Sequence, residues 1–168
     1  MAALTRIGPS SALAGDDRPE SIRFCSRCAY ASEQPRGHLH VSRRVCDQCE
    51  GGVLLTCRRE ALTSEAFLIF TYELEVNAVS RAAEAIFGPE DQVVGSRLLD
   101  LVTCPLGDEQ LARHGALAAQ RPREEVALPL RVRANQGDAV GTLAARLATC
   151  GPPRAALLTV EPSPFGRR

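Results

Sequence analysis

Cys25 and Cys28, and then Cys46 and Cys49, form two C-x2-C pairs separated by 17 residues. A two-residue spacer lets one tight turn present two thiolates along an edge of a tetrahedron. A second such pair 15 to 20 residues on supplies the opposite edge, which is the spacing of a zinc site. Four zinc–sulfur bonds of about 2.3 Å leave no place for water or substrate, so Cys25, Cys28, Cys46 and Cys49 are expected to hold a structural Zn2+ and not a catalytic one. The same four residues could instead form two disulfides, or one pair a thioredoxin-like redox couple. The absence of an export signal argues against the first, and the lack of a strand-helix setting against the second. His38 and His40 fall between the pairs and read as loop histidines, because the spacing is already satisfied by sulfur. Arg27, Arg43 and Arg44 flank the ligands and offset the negative charge of a tetrathiolate. Cys57 reads as a spare, and Cys104 and Cys150 as buried free thiols.

Composition narrows the chemistry further. The 168 residues carry 20 basic and 20 acidic side chains, and every basic one is arginine. Mechanisms that need a lysine, such as the phosphate-loop lysine, a pyridoxal Schiff base or the kinase strand lysine, are excluded. No G-x-S-x-G, H-E-x-x-H or glycine-rich phosphate loop is present, and Asp108-Glu109 and Glu124-Glu125 read as solvent-facing pairs without a partner histidine. The expected protein is not an enzyme. With no tryptophan, two tyrosines and five phenylalanines, stacking platforms for unpaired bases are thin. No apolar run reaches the roughly 18 residues needed to span a bilayer, and Gly8, Pro9 and the Asp16-Asp17 pair interrupt any signal-peptide core. A cytoplasmic protein without membrane contact is expected.

The elements that must carry the cysteines divide the chain. Residues 1–22 are rich in Ala, Ser, Gly, Pro and Asp and are expected to be a disordered tail, as are 162–168. Residues 23–60 are too poor in apolar side chains to make a core of their own, so metal binding must supply folding free energy on the order of 10 kcal/mol. Loss of one ligand is then expected to unfold residues 24–57 and leave the rest cooperative. Over 64–161 the composition turns to Ala, Leu and Val. Ala66 to Tyr72 and Leu74 to Val79 read as strands. Arg81 to Phe87 reads as a helix with Ser80 as N-cap and Gly88 as its stop. Ser96 to Leu101 and Asp108 to Ala119 read as further short helices. Val126, Leu128, Leu130 and Val132 alternate with Ala127, Pro129, Arg131 and Arg133, which is the period of a half-wet strand. Val140 to Ala148 and Ala155 to Glu161 complete a three-strand meander, with Asn135 to Asp138 and Gly151 to Arg154 as turns.

Two stretches, Val79 to Gly88 (VSRAAEAIFG) and Val93 to Val102 (VVGSRLLDLV), resemble the front half of PAS domains, where a strand leads into "vN-x-A-A-E-x-l-f-G" and then "vvGr-x-l-x-d-l". The close match covers about 25 residues, and the order ββ-helices-βββ extends it over 64–161. The arrangement also resembles small PAS proteins of an actinobacterial type, in which a four-cysteine zinc ribbon comes first and the chain ends "CGPP-x-A-A-L", here Cys150 to Leu157. The resemblance implies an α+β fold: a curved five-stranded antiparallel sheet with short helices on one face and a cavity between them, preceded by the small zinc-ribbon segment. Ser80 stands where the family usually has asparagine, and the first strand pair lacks the family's Asp and Gly turn, which implies an irregular hairpin. In the light-sensing subfamily a cysteine follows the "G-r-n" turn; here Leu98 follows Gly95-Ser96-Arg97, so no flavin is expected. His114 lies on a helix where haem-binding members place a ligand, but a lone helical histidine is not sufficient and haem is not expected.

The resemblance implies a non-enzymatic signalling or regulatory module that senses or binds protein, with the ribbon as docking element. Partners would be another protein, or a second copy joined through the PAS sheet, and a small molecule in the cavity. The alternative is a transcription-associated zinc-ribbon protein that contacts nucleic acid through Arg23, Arg27, Arg43, Arg44, Arg58 and Arg59. Six arginines within 37 residues offer phosphate contacts, but the formal charge of zero gives no general attraction to a polyanion, and this reading is not favoured.

Overall fold

A computed structural model describes residues 21–33, 44–49, 51–133 and 141–161. The C-terminal tail, nearly all of the N-terminal tail, His38, His40, Arg43 and the Asn135 to Asp138 turn lie outside the described residues. The elements run β1 (Ser21–Cys25), β2 (Ala31–Glu33), β3 (Leu54–Arg58), a 3-10 turn (Arg59–Ala61), β4 (Phe67–Phe70) and β5 (Val76–Val79), then α1 (Arg81–Phe87), α2 (Glu90–Val93), α3 (Leu98–Leu101), β6 (Val102–Thr103), α4 (Asp108–Gln120), β7 (Val126–Val132), β8 (Leu143–Gly151) and β9 (Ala155–Glu161). The first strand begins at Ser21 with Ile22 already buried, so these two residues do not belong to the disordered tail expected over 1–22. Pairing with β3 decides this: Ser21 and Ile22 face Arg58 and Cys57 across the ladder, and nearest-neighbour composition does not register so distant a partner.

The strands form one curled antiparallel network with few, short helices. Five of them lie side by side in the order β7-β8-β9-β4-β5, but the sheet is larger than the five strands expected. Thr56 and Cys57 of β3 pair with Gly151 and Cys150 of β8, which attaches β1, β2 and β3 to the same sheet. One edge of β8 is therefore shared, Leu143 to Leu147 with β7 and its C-terminal end with β3. The first hairpin is irregular, with a register shift between Ile69 and Phe70 and Leu74 in the left-handed region at φ 65°.

Alternation along the central strands assigns the two faces. Leu68 and Phe70 of β4, Ala156, Leu158 and Val160 of β9, and Ala145 and Leu147 of β8 point to the helical side, where they meet Ala83, Val93, Leu98, Leu111 and Ala118. The α4 backbone comes so close that a Cβ on Gly115 would stand 2.9 Å from the Phe70 ring. Space at that point of the interior is filled by the chain. Phe67, Ile69, Leu157, Ala148 and Cys150 point the other way, and they too are buried, under Ile22, Phe24, Leu55, Cys57 and Ala61. The rings of Phe24 and Phe67 meet edge to face with centroids 5.5 Å apart. The ribbon hairpin thus covers the outer face over β4, β9 and the end of β8. This revises the expectation of two separately cooperative units: stripping the ribbon exposes Phe67, Ile69 and Leu157 of the main sheet.

Two small devices fix the helical connection. Ser80 is fully buried; its hydroxyl accepts from the N–H groups of Phe67 (3.0 Å) and Ala83 (3.3 Å) and donates to the Glu65 carbonyl (2.6 Å). One side chain therefore caps α1 and ties it to β4. Asp108, expected to face solvent, instead accepts from the Cys104 N–H (2.8 Å) and the Thr103 hydroxyl (2.7 Å) and pairs with Arg133 at 2.7 Å. These donors, the Cys104 N–H foremost, hold its carboxyl below the ordinary carboxylate range. Among the described residues no helix is long and apolar enough to cross a membrane.

Replacing Ser80 with Ala removes a cap and strands the buried Phe67 N–H, and it should cost about 2 to 3 kcal/mol by urea denaturation. A loss below about 0.5 kcal/mol would contradict this role for the hydroxyl.

Candidate metal centre

The four expected ligands converge. The sulfur atoms of Cys25, Cys28, Cys46 and Cys49 all lie within 4.8 Å of one another. Cys25 Sγ is 3.6 Å from Cys49 Sγ, and Cys28 Sγ is 3.8 Å from Cys46 Sγ. A tetrahedral ion with metal–sulfur bonds of about 2.3 Å requires a sulfur–sulfur edge of about 3.8 Å, whereas a disulfide requires about 2.05 Å. The thiols are free, and their spacing fits a metal ion such as zinc and excludes two disulfides.

Two tight turns set this geometry. In the first, Cys25 leaves β1, its Sγ receives the N–H groups of Arg27 (3.4 Å) and Cys28 (3.5 Å), and Ala29 turns the chain back in the left-handed region at φ 60°. Cys25 N–H then donates to the Tyr30 carbonyl at 2.9 Å. In the second, Cys46 Sγ receives Gln48 N–H at 3.4 Å, and Cys46 N–H donates to the Gly52 carbonyl at 2.8 Å. The turns are laced together by Ser26, whose N–H donates to the Val53 carbonyl (2.9 Å) and whose hydroxyl accepts from Val53 N–H (3.0 Å).

The electrostatics favour a cation. Burial pushes the Cys25 thiol up to about 12 and also raises Cys28. The Gly51 N–H, the leading cause, followed by Gly52, lowers Cys49 to about 6. The site thus combines one ready thiolate, Cys49, with two reluctant thiols, Cys25 and Cys28, and a divalent ion would supply the charge that opposes a tetrathiolate. The four sulfurs would fill all four positions of a tetrahedral ion.

Several contributors were not singled out by spacing. A Cβ on Gly52 would lie 2.1 Å from Cys25 Sγ, so the second turn can approach the first only with glycine there; the Gly51-Gly52 dipeptide just after Cys49 was the available signal. Arg27 does more than balance charge. Its carbonyl accepts the N–H of Arg81 at 2.8 Å, and its guanidinium pairs with Glu90 at 3.5 Å, linking the first turn to α1 and α2. Arg58 pairs with Glu125 at 3.6 Å, and Arg23 and Arg59 also have partners. Cys57, Cys104 and Cys150 are buried outside the cluster. His114 is half-buried, and its Nδ1 has no hydrogen-bond partner among the described residues.

Gly52→Ala should abolish stoichiometric metal, measured by elemental analysis after gel filtration, while a serine at the exposed Val45 should leave it intact. Cys46→Ser should lower the stability of the entire chain in a single denaturation transition, because the cover over Phe67 and Leu157 goes with the ribbon. Two separated transitions would contradict that coupling.

No protein-family model matches the chain, and no curated protein sequence is similar to it at a significant level.

Proposed function

We propose that the chain is a non-enzymatic signalling or regulatory module in which a structural zinc ribbon, built onto a PAS-like sensing fold, presents a docking surface to another protein. The closed set of four sulfurs carries the reading: with no open coordination place, the ion organises backbone and does not react. The PAS-like part of the proposal rests on the resemblance of Val79 to Val102. It is supported by a strand pair, a run of short helices gathered on one face, and three further antiparallel strands, with β4 of the first pair beside β9.

The partner surface follows from what is already covered. Over β4 and β9 the sheet's outer face is occupied by the ribbon, so association through that area is blocked. The two metal-holding turns instead expose Tyr30, Val45 and Val53 at 48%, 55% and 44%, an apolar tip on a rigid base. Arginines favour scaffold over phosphate contact, since Arg27 and Arg58 are engaged with Glu90 and Glu125.

Native mass spectrometry of the protein from its own organism should show one zinc per chain and a bound protein partner. A Tyr30→Ser/Val53→Ser variant should keep the zinc and lose the partner. A partner retained by that variant, or zinc-free wild-type protein, would refute the proposal.

A further inference from the structure

We infer that the cleft where β3 meets the end of β8 binds a small oxyanion, a phosphate or carboxylate group. The cleft measures about 420 Å³, a size that accommodates a small molecule. Arg58, Arg123 and Arg154 line it together with Glu125. Three guanidinium groups face one carboxylate, which leaves an excess of positive charge in a concave, partly desolvated place. Cys150 also borders the cleft, and burial raises its thiol, so it adds no opposing charge.

The existing contacts leave one donor and one acceptor unused. Arg154 donates to the Gln120 carbonyl at 2.7 Å, and Arg58 pairs with Glu125. Half-buried Arg123 has neither a hydrogen bond nor an ion pair among the described residues. Its planar fork matches a carboxylate or phosphate edge. Glu125 was expected to face solvent, yet its side chain is only 14% exposed and its Oε1 is buried without a hydrogen-bond donor. At 3.6 Å the Arg58 contact is an ion pair too long to count as a hydrogen bond. That oxygen is closed to solvent and out of a ligand's reach, so Glu125 balances Arg58, and Arg123 is left to engage the ligand's oxyanion.

The three arginines come from distant parts of the chain and are brought together by the pairing of β8 with both β3 and β7. The four cysteine ligands contribute no atom to the cleft, so this inference stands apart from the proposed function. Isothermal titration calorimetry on the full, metal-loaded chain tests it, with glycerol 3-phosphate, malate and inorganic phosphate as probes. At least one probe should bind saturably, and comparison of glycerol 3-phosphate with malate identifies a phosphate or a carboxylate ligand. Arg123→Ala should weaken that binding about tenfold with unchanged melting temperature and metal content, and Arg123→Lys should recover part of it. Absence of saturable binding by all three probes, or wild-type affinity in Arg123→Ala, would each overturn the assignment.

Discussion

Phe24 is sealed from solvent with its ring against Phe67, and that contact answers a constraint on the N-terminal third. A segment of this size cannot bury enough apolar surface by itself to offset the entropy of ordering its backbone. The cysteine cluster gathers its two turns, but it does nothing for the dry side of the hairpin behind them. Ile22, Phe24, Leu55 and Cys57 find their cover on the outer face of the main sheet, and the sheet in turn gains a lid over Phe67, Ile69 and Leu157. Fully burying one such phenylalanine contributes on the order of 2 to 3 kcal/mol, so the exchange benefits both parts.

The same exchange explains which strands were readable. β7 alternates dry and wet residues because its outward side chains, such as Ala127 and Arg131, remain exposed, and its period was visible directly. β4 and β9 read as unbroken apolar runs, Phe-Leu-Ile-Phe and Ala-Ala-Leu-Leu-Thr-Val, because both of their faces are covered. The sequence displays those runs but does not say what covers the second face. That depends on Thr56 and Cys57 meeting Gly151 and Cys150, a register between residues far apart in the chain. Ser80 and Gly88 marked the ends of α1 because caps are local. The four-residue α2 was not read, since Glu90 to Val93 is too short to show a period.

At the cysteine cluster, the four residues that converge were legible because two-residue spacing is itself the geometric requirement of a four-sulfur site. The supports were not: Gly52 matters through its approach to Cys25 Sγ, and Ser26 through Val53, neither of which is a neighbour in the chain. The charged residues carry the same lesson. Asp108 and Glu125 looked like ordinary solvated acids, yet each is held by groups from other elements, Arg133 in one case and Arg58 in the other. Both contacts are made by a permanently charged arginine, as a directed hydrogen bond of 2.7 Å on Asp108 and as a longer ion pair of 3.6 Å on Glu125.

β8 pairs with β9 along one side and divides its other side between β7 and β3. A single residue inserted midway would put everything beyond it out of step with two neighbours at once, β9 and β3, turning inward side chains outward on each. No one loop could absorb that slip. Length variation among descendants of this chain should therefore be purged from 143–151 and accumulate in the connections between strands, so an evolutionary record of insertions and deletions would trace the seam joining its two parts.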